Sequence, residues 1–174
     1  STVNQSVSQL KNIFDSAWGG FGKAPKFPST MNIEVLLRQL LAGEDAELEE
    51  MVKTSLDAMA SGGMYDHIGG GFSRYSVDAQ WLVPHFEKML YDNAQLLGLY
   101  SEAYLITKEP RFKKVVYQSF EFLKRELLGA AYYSALDADS EGREGKYYIW
   151  TEEEFNEALG ADAGLAKELY EVGG

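Results

Sequence analysis

This sequence predicts a mainly α fold: antiparallel helical hairpins with a small β-hairpin insertion. Three observations predict it. Apolar residues recur at three- and four-residue intervals through most of the chain. The Gly and Pro breaks between these stretches are short, so consecutive helices should pack side by side. Only around residues 131–150 does the pattern become aromatic and β-prone.

Each element has its own signals. Val7, Leu10, Ile13 and Phe14 share one side of a first helix over about Val3 to Ala17, which Gly19 and Gly20 stop. Residues 18–28, WGGFGKAPKFP, form a loop, because Pro25 and Pro28 fix φ and lack donors. Ser29 or Thr30 caps a second helix running through Leu36, Leu37, Leu40 and Leu41 to Gly43. A third spans about Asp45 to Ser61, burying Leu48, Met51, Val52, Leu56 and Met59. Pro84 opens a long helix to about Thr107, proline being well placed in a first turn. Pro110 starts another, with Phe112, Val116, Phe120, Leu123 and Leu127 as its buried stripe and Gly129 at its end. AYYSALD and KYYIW read as two strands around the turn DADSEGREG. Thr151 and Glu154 form a capping-box pattern that starts a last helix.

Composition narrows the function. The 174 residues fit one domain or part of a larger one, with a formal charge of -11 and 45% hydrophobic residues. No Lys/Arg cluster offers a phosphate-neutralising face, so no nucleic-acid partner is expected. The acidic C-terminal stretch reads as a solvated helix surface. No apolar run reaches membrane-spanning length, and no membrane partner is expected. The absence of cysteine excludes disulfides and thiol chemistry within the chain and fits a cytoplasmic location. The abrupt Val-Gly-Gly ending suggests a piece of a longer protein.

The chemistry concentrates in GGMYDHIGGGFSRYSVDAQWLVPHFEKMLYDNAQLL, residues 62–97, which holds both histidines. On a helix opened by Pro84, His85, Lys88 and Asp92 fall on one side, and Glu87, Tyr91, Gln95 and Glu102 on another. Equally, His85 and Asp92 fit buried, satisfied structural groups. Asp66, His67 and Arg74 flank three glycines; they fit a ligand site, or a tight connection pinned by an Asp–Arg pair. The glycine spacing matches neither a dinucleotide fingerprint nor a phosphate loop. No metal or other cofactor is expected: H-E-x-x-H is missing, and the calcium-like run at Asp137, Asp139 and Glu141 lacks its closing acid. Asp66, Asp92, Asp137 and Asp139 are candidates for acid–base work on a sugar. Trp18, Trp81 and Trp150 are stacking surfaces or simply core.

GGFGKAPKFP (19–28), residues 62–96 and SALDADSEGREGKYYIWT (134–151) closely resemble the thioredoxin domain-containing family of bacterial YyaL proteins and mammalian spermatogenesis-associated protein 20. The match runs from Trp18 to Phe155. The resemblance implies part of an (α/α)6 toroid like the six-hairpin glycosidases, spanning residues 1–174, truncated at its C-terminus and without the family's thioredoxin-like domain. It implies a pocket of Asp66, His67, Arg74, Trp81, His85, Glu87, Lys88, Tyr91 and Asp92, with Asp137 and Asp139 beside them.

The expected function is carbohydrate metabolism: binding or transforming a sugar-like ligand, as in a glycosidase or sugar epimerase. Asp66, His67, His85 and Asp92 would be the acid–base residues. Arg74, Trp81, Glu87, Lys88, Tyr91, Asp137 and Asp139 would bind. The alternative is a non-catalytic interaction module partnering the parent's thioredoxin-like domain. Self-association through an open toroid flank is a further expectation.

Overall fold

A computed structural model describes residues 2–170. The chain divides into two compact units, residues 1–138 and 139–174. The first holds helices α1 (Thr2–Ile13), α2 (Thr30–Ala42), α3 (Ala46–Ser61), α4 (Leu90–Thr107) and α5 (Pro110–Phe122). It also holds two two-stranded antiparallel pairs: β1 (Tyr75–Ser76) with β2 (Pro84–His85), and β3 (Lys88–Met89) with β4 (Ala135–Leu136).

α3 behaves as its periodicity predicts. Asp45 accepts the amides of Glu47 and Leu48, and Leu48, Met51, Val52, Leu56 and Met59 are all buried. α2 and α4 run parallel, because Thr30 bonds Gln95 while Arg38, two turns on, bonds Glu102. The core lies among these helices, and the Tyr100 hydroxyl crosses it to donate to the carbonyl of Leu56 at 2.7 Å.

Several expectations are corrected. The first helix ends at Ile13, since the Asp15 carboxylate takes the amides of Ala17 and Trp18 and turns the chain. Ser29 stands at the start of α2 with left-handed backbone and no capping bond from its side chain. The long helix begins at Leu90, not Pro84. The backbone of residues 84–89 pairs instead with neighbouring strands, and Glu87 O accepts the Arg74 amide at 2.8 Å. On α5 the buried stripe is Phe112, Val115, Ser119 and Phe122. A π-helical turn, Leu123–Leu127, then inserts a residue and restores Leu123 and Leu127 to the interior.

A duplicated device precedes α2 and α4. Residues 14–21, FDSAWGGF, and 65–72, YDHIGGGF, fold alike. In each, the aromatic ends are bridged, Phe14 to Phe21 and Tyr65 to Phe72. Asp15 N donates to Gly20 O, as Asp66 N does to Gly71 O. Asp66 accepts the amides of Ile68 and Gly69, as Asp15 does those of Ala17 and Trp18. Gly20 and Gly71 both have positive φ, and a Cβ on either would strike the ring of Trp81 or Phe122 within 2.5 Å. A buried lysine closes each turn: Lys26 to Asp15 at 2.6 Å and Lys88 to Asp66 at 2.7 Å. Each ammonium lies over the aromatic ring that rests on the glycine, Trp81 or Phe122. Burial pushes both carboxyls up, but lysine and the turn amides overcome it and hold both below the ordinary range.

The second unit contains a tight hairpin, β5 (Asp139–Ser140) with β6 (Arg143–Glu144). Its turn is Glu141-Gly142, both at positive φ as a primed turn requires. The hairpin thus lies inside the segment expected to be only a turn, and KYYIW forms no strand. α6 (Glu152–Leu159) opens with the expected Thr151–Glu154 capping box, a short 3₁₀ turn follows, and α7 (Ala163–Tyr170) ends the described chain.

Lys88→Met should destabilise the protein by about 3 kcal/mol by leaving a half-buried carboxylate unpaired, and Lys26→Met similarly; urea titration measures both. Because Asp15 and Asp66 ionise more readily folded than unfolded, their stabilisation is present at neutral pH. It should be lost on acidification below about pH 4, and less so in either lysine variant.

Candidate functional site

The duplicated turn sets where the next residues go. Past Gly71, Asn93 of α4 grips Phe72 from both sides: its Oδ1 accepts the Phe72 amide at 2.7 Å and its Nδ2 donates to the Phe72 carbonyl at 2.9 Å. The chain then enters β1, where Arg74 and Tyr75 lie opposite β2 and the approach to β3. The side chains of Arg74, His85, Glu87 and Asp92 gather there.

Arg74 donates to Glu87 at 3.2 Å. His85 Nε2 lies 3.8 Å from the same Glu87 oxygen, an ion pair when the imidazole is protonated. Tyr75 stacks on His85 with ring centroids 4.9 Å apart, and the Phe27 ring lies 4.7 Å from Tyr75, tilted by 32°. The result is a three-ring ladder running into a charged cluster. It is open to water: Arg74 is 40% exposed, and His85 and Glu87 about a quarter.

Asp92, in the first turn of α4, is the odd member. Its Oδ2 is buried and has no hydrogen-bond partner among the described residues. Burial pushes its carboxyl above the ordinary range; Arg74 opposes that and Glu87 adds to it. A carboxyl so placed holds its proton more readily than an exposed one, the direction of shift an acid catalyst needs.

The remaining candidates fall elsewhere. Asp66 and Lys88 are spent on each other and on the turn, with Lys88 also donating to Gly70 O at 3.0 Å. Trp81 is fully buried, and its indole N–H donates to Trp18 O, so it offers no face for stacking. His67 is exposed, its Nε2 3.0 Å from Gly62 O. Tyr91 is exposed on α4 and Asp137 is exposed just past β4, while Asp139 belongs to the second unit. Phe27 and Tyr75 were missed as site residues. Their signal was faint: an aromatic three positions before Thr-Met on one side, and a tyrosine in a two-residue strand on the other. Among the described residues no three of His, Asp and Glu come together to hold a metal ion, and no helix is long and apolar enough to cross a membrane.

No protein-family model matches the chain. It is 39% identical over 168 residues to human spermatogenesis-associated protein 20, covering 90% of this chain and 21% of that protein. It is 36% identical over 191 residues to an uncharacterised protein of Caenorhabditis elegans, covering 98% of this chain and 26% of the relative. The chain thus spans about a fifth to a quarter of the length of these relatives. Among solved structures, a sugar epimerase from a ruminal bacterium superposes with TM-score 0.67 at 16% identity, over 81% of this chain and 43% of that one. Cellobiose 2-epimerase from Spirochaeta thermophila gives 0.62 at 18% identity, over 78% and 39%. The likeness shows the fold: the helical hairpins are those of an (α/α)6 toroid.

Asp92 has the opposite pH signature to Asp66. Its ionisation is disfavoured by folding, so its contribution is intact in acid and is lost as pH rises through its elevated folded value. Asp92→Asn should therefore gain stability over the parent toward neutral pH, on the order of 1 kcal/mol, and lose that advantage in acid. Denaturant titrations across pH check the sign.

Proposed function

We propose that this chain supplies one wall of a carbohydrate site in which a sugar ring lies against the Phe27–Tyr75–His85 ladder and undergoes acid–base chemistry. The observation that carries the reading is the ladder's direct continuation into Arg74, Glu87 and the half-buried Asp92, whose carboxyl burial pushes up. Aromatic faces match the apolar C–H faces of sugar rings, and a charged cluster at their edge matches the hydroxyls.

Each residue then has a task. Tyr75 and Phe27 hold the ring. Arg74 donates to, and Glu87 accepts from, hydroxyl groups, with Tyr91 available at the rim. His85 takes a proton from a carbon beside the sugar carbonyl, and Asp92 hands one to the carbonyl oxygen after its carboxyl turns about a soft terminal torsion. Asp66 and Lys88 support the site from below, while His67, Trp81, Asp137 and Asp139 stay outside this smaller set. Support for sugar chemistry comes from solved epimerases of the same fold, and fold alone does not carry an activity.

Calorimetric titration with mono- and disaccharides tests binding. Tyr75→Ala and His85→Ala should each weaken it roughly five- to tenfold, while Tyr117→Ala, an exposed aromatic on α5, should not. Deuterium uptake at the carbon next to the sugar carbonyl in D2O tests the chemistry, and Asp92→Asn should abolish it. Binding without exchange would make this a binding module, the form in which a thioredoxin-like partner domain or a second copy would be sought. No binding to the ladder would end the carbohydrate reading.

A further inference from the structure

The three-ring ladder is one row of a larger face. Lys26 and Ser76 exchange backbone hydrogen bonds at 2.7 and 2.9 Å. Tyr75 pairs with His85, and the Val77 amide donates to Val83 O at 2.9 Å. Three short segments therefore lie side by side as a small antiparallel sheet. Side chains alternate across such a sheet, so residues two apart share a face. Lys26 and Ser76 point inward and are fully buried. Phe27, Tyr75 and His85 form one row of the outward face. Pro25, Val77 and Val83 form the next row, about 7 Å further along the strands.

The alternation is inverted. An antiparallel sheet with one wet face ordinarily turns its polar residues to water and its apolar ones to the core. Here a lysine and a serine take the buried positions, while Pro25, Phe27, Val77 and Val83 are exposed. The fold explains Lys26, which closes the first glycine turn on Asp15. It does not explain two paired valines in water.

A second, independent observation is that the tip joining β1 to β2 is fastened with this face open. Asp78 accepts the amides of Gln80, Leu82 and Val83 at 2.6, 3.2 and 2.6 Å. Lys26 donates to Ala79 O at 3.0 Å. Trp81 takes a positive φ, a strained conformation for so bulky a residue, and sinks fully into the core. A tip held at so many points keeps Val77 and Val83 at the surface. Apolar side chains fixed in water on a rigid support are preorganised for a ligand.

The surroundings define that ligand. Arg74 and Glu87 stand at the far end of the ring row, so polarity falls along the strands from charged to aromatic to aliphatic. Six residues are too few for a stable protein interface, which takes roughly 20–30 on each side. We infer that the site takes a sugar bearing an apolar substituent, an alkyl ether or acyl ester on a hydroxyl remote from its carbonyl. The inference rests on the carbohydrate reading and names its substrate class. The sugar ring covers Tyr75 and its free carbonyl end reaches the charged cluster. Pro25, Val77 and Val83 take the alkyl chain out of water.

Calorimetric titration compares glucose with 4-O-hexylglucose and 6-O-hexylglucose. At least one hexyl sugar should bind about tenfold more tightly than glucose, the factor that burying on the order of 50 Å² of apolar surface supplies. The double variant Val77→Thr/Val83→Thr keeps both side chains branched and β-prone. It should erase that preference and leave glucose affinity unchanged, whereas Tyr75→Ala should weaken all three sugars together. If the double variant does not fold, the two single variants decide. Equal affinity for glucose and both hexyl sugars overturns the inference and leaves the ladder standing. A preference that survives the valine variants overturns it too. So does hexyl-sugar binding that Tyr75→Ala leaves intact, which would mark a bare apolar patch suited to a protein partner. If none of the three sugars binds, the carbohydrate reading falls and takes this inference with it.

Discussion

A buried lysine facing an aspartate across a glycine turn is the constraint on which the first unit depends. Lys88 is almost fully buried, and an ammonium out of water is tolerable only with its charge matched and its protons used. Asp66 and Gly70 O meet both needs. In doing so they fix where β3 begins, since Glu87 precedes Lys88 and Met89 leads into α4. Lys26 does the same for the entrance to α2. Ladder and cluster are consequences: Phe27 follows Lys26, Glu87 precedes Lys88, and Arg74 leaves the second turn two residues after Phe72.

This separates support from chemistry among the ionisable groups. Asp66 and Asp92 are both half-hidden carboxyls near cations, yet folding shifts them in opposite directions. Asp66 has a lysine in contact and two amides donating to it, so the charged form wins against burial. Asp92 has Arg74 only at a distance, a second acid nearby and one oxygen with no donor, so burial is left to raise its carboxyl. A carboxylate so thoroughly hydrogen-bonded has little freedom to exchange a proton with a ligand. One whose ionisation burial opposes, beside open, charged neighbours, has more.

Legibility in the sequence followed the range of the forces involved. α3 could be read to the residue because its cap, period and terminating glycine are all local. The capping box at Thr151 was local too. Pro84 misled because a proline-led first turn and a proline-led short strand look alike until the partner is known. What decided it was backbone pairing with Tyr75–Ser76 and Ala135–Leu136, the second some fifty residues away. The same error put Lys88 beside His85 on a helix face, when Lys88 points inward as a clamp. The stripe of α5 slipped by one residue at a π-helical turn that no periodicity announces. The duplicated turn escaped notice because only an aromatic, an aspartate, two glycines and a phenylalanine recur, while the closing lysine stands eleven residues from Asp15 and twenty-two from Asp66.

The glycines show how such a sequence is best read once the fold is known. Counting them drew attention to residues 62–71 but gave every glycine the same weight. Geometry sorts them by what a methyl group would meet. Gly20 and Gly71 lie under aromatic rings with left-handed backbone, so the fold itself requires them. Gly98 has ordinary helical backbone and empty space beside it, so the fold would be served at least as well by alanine.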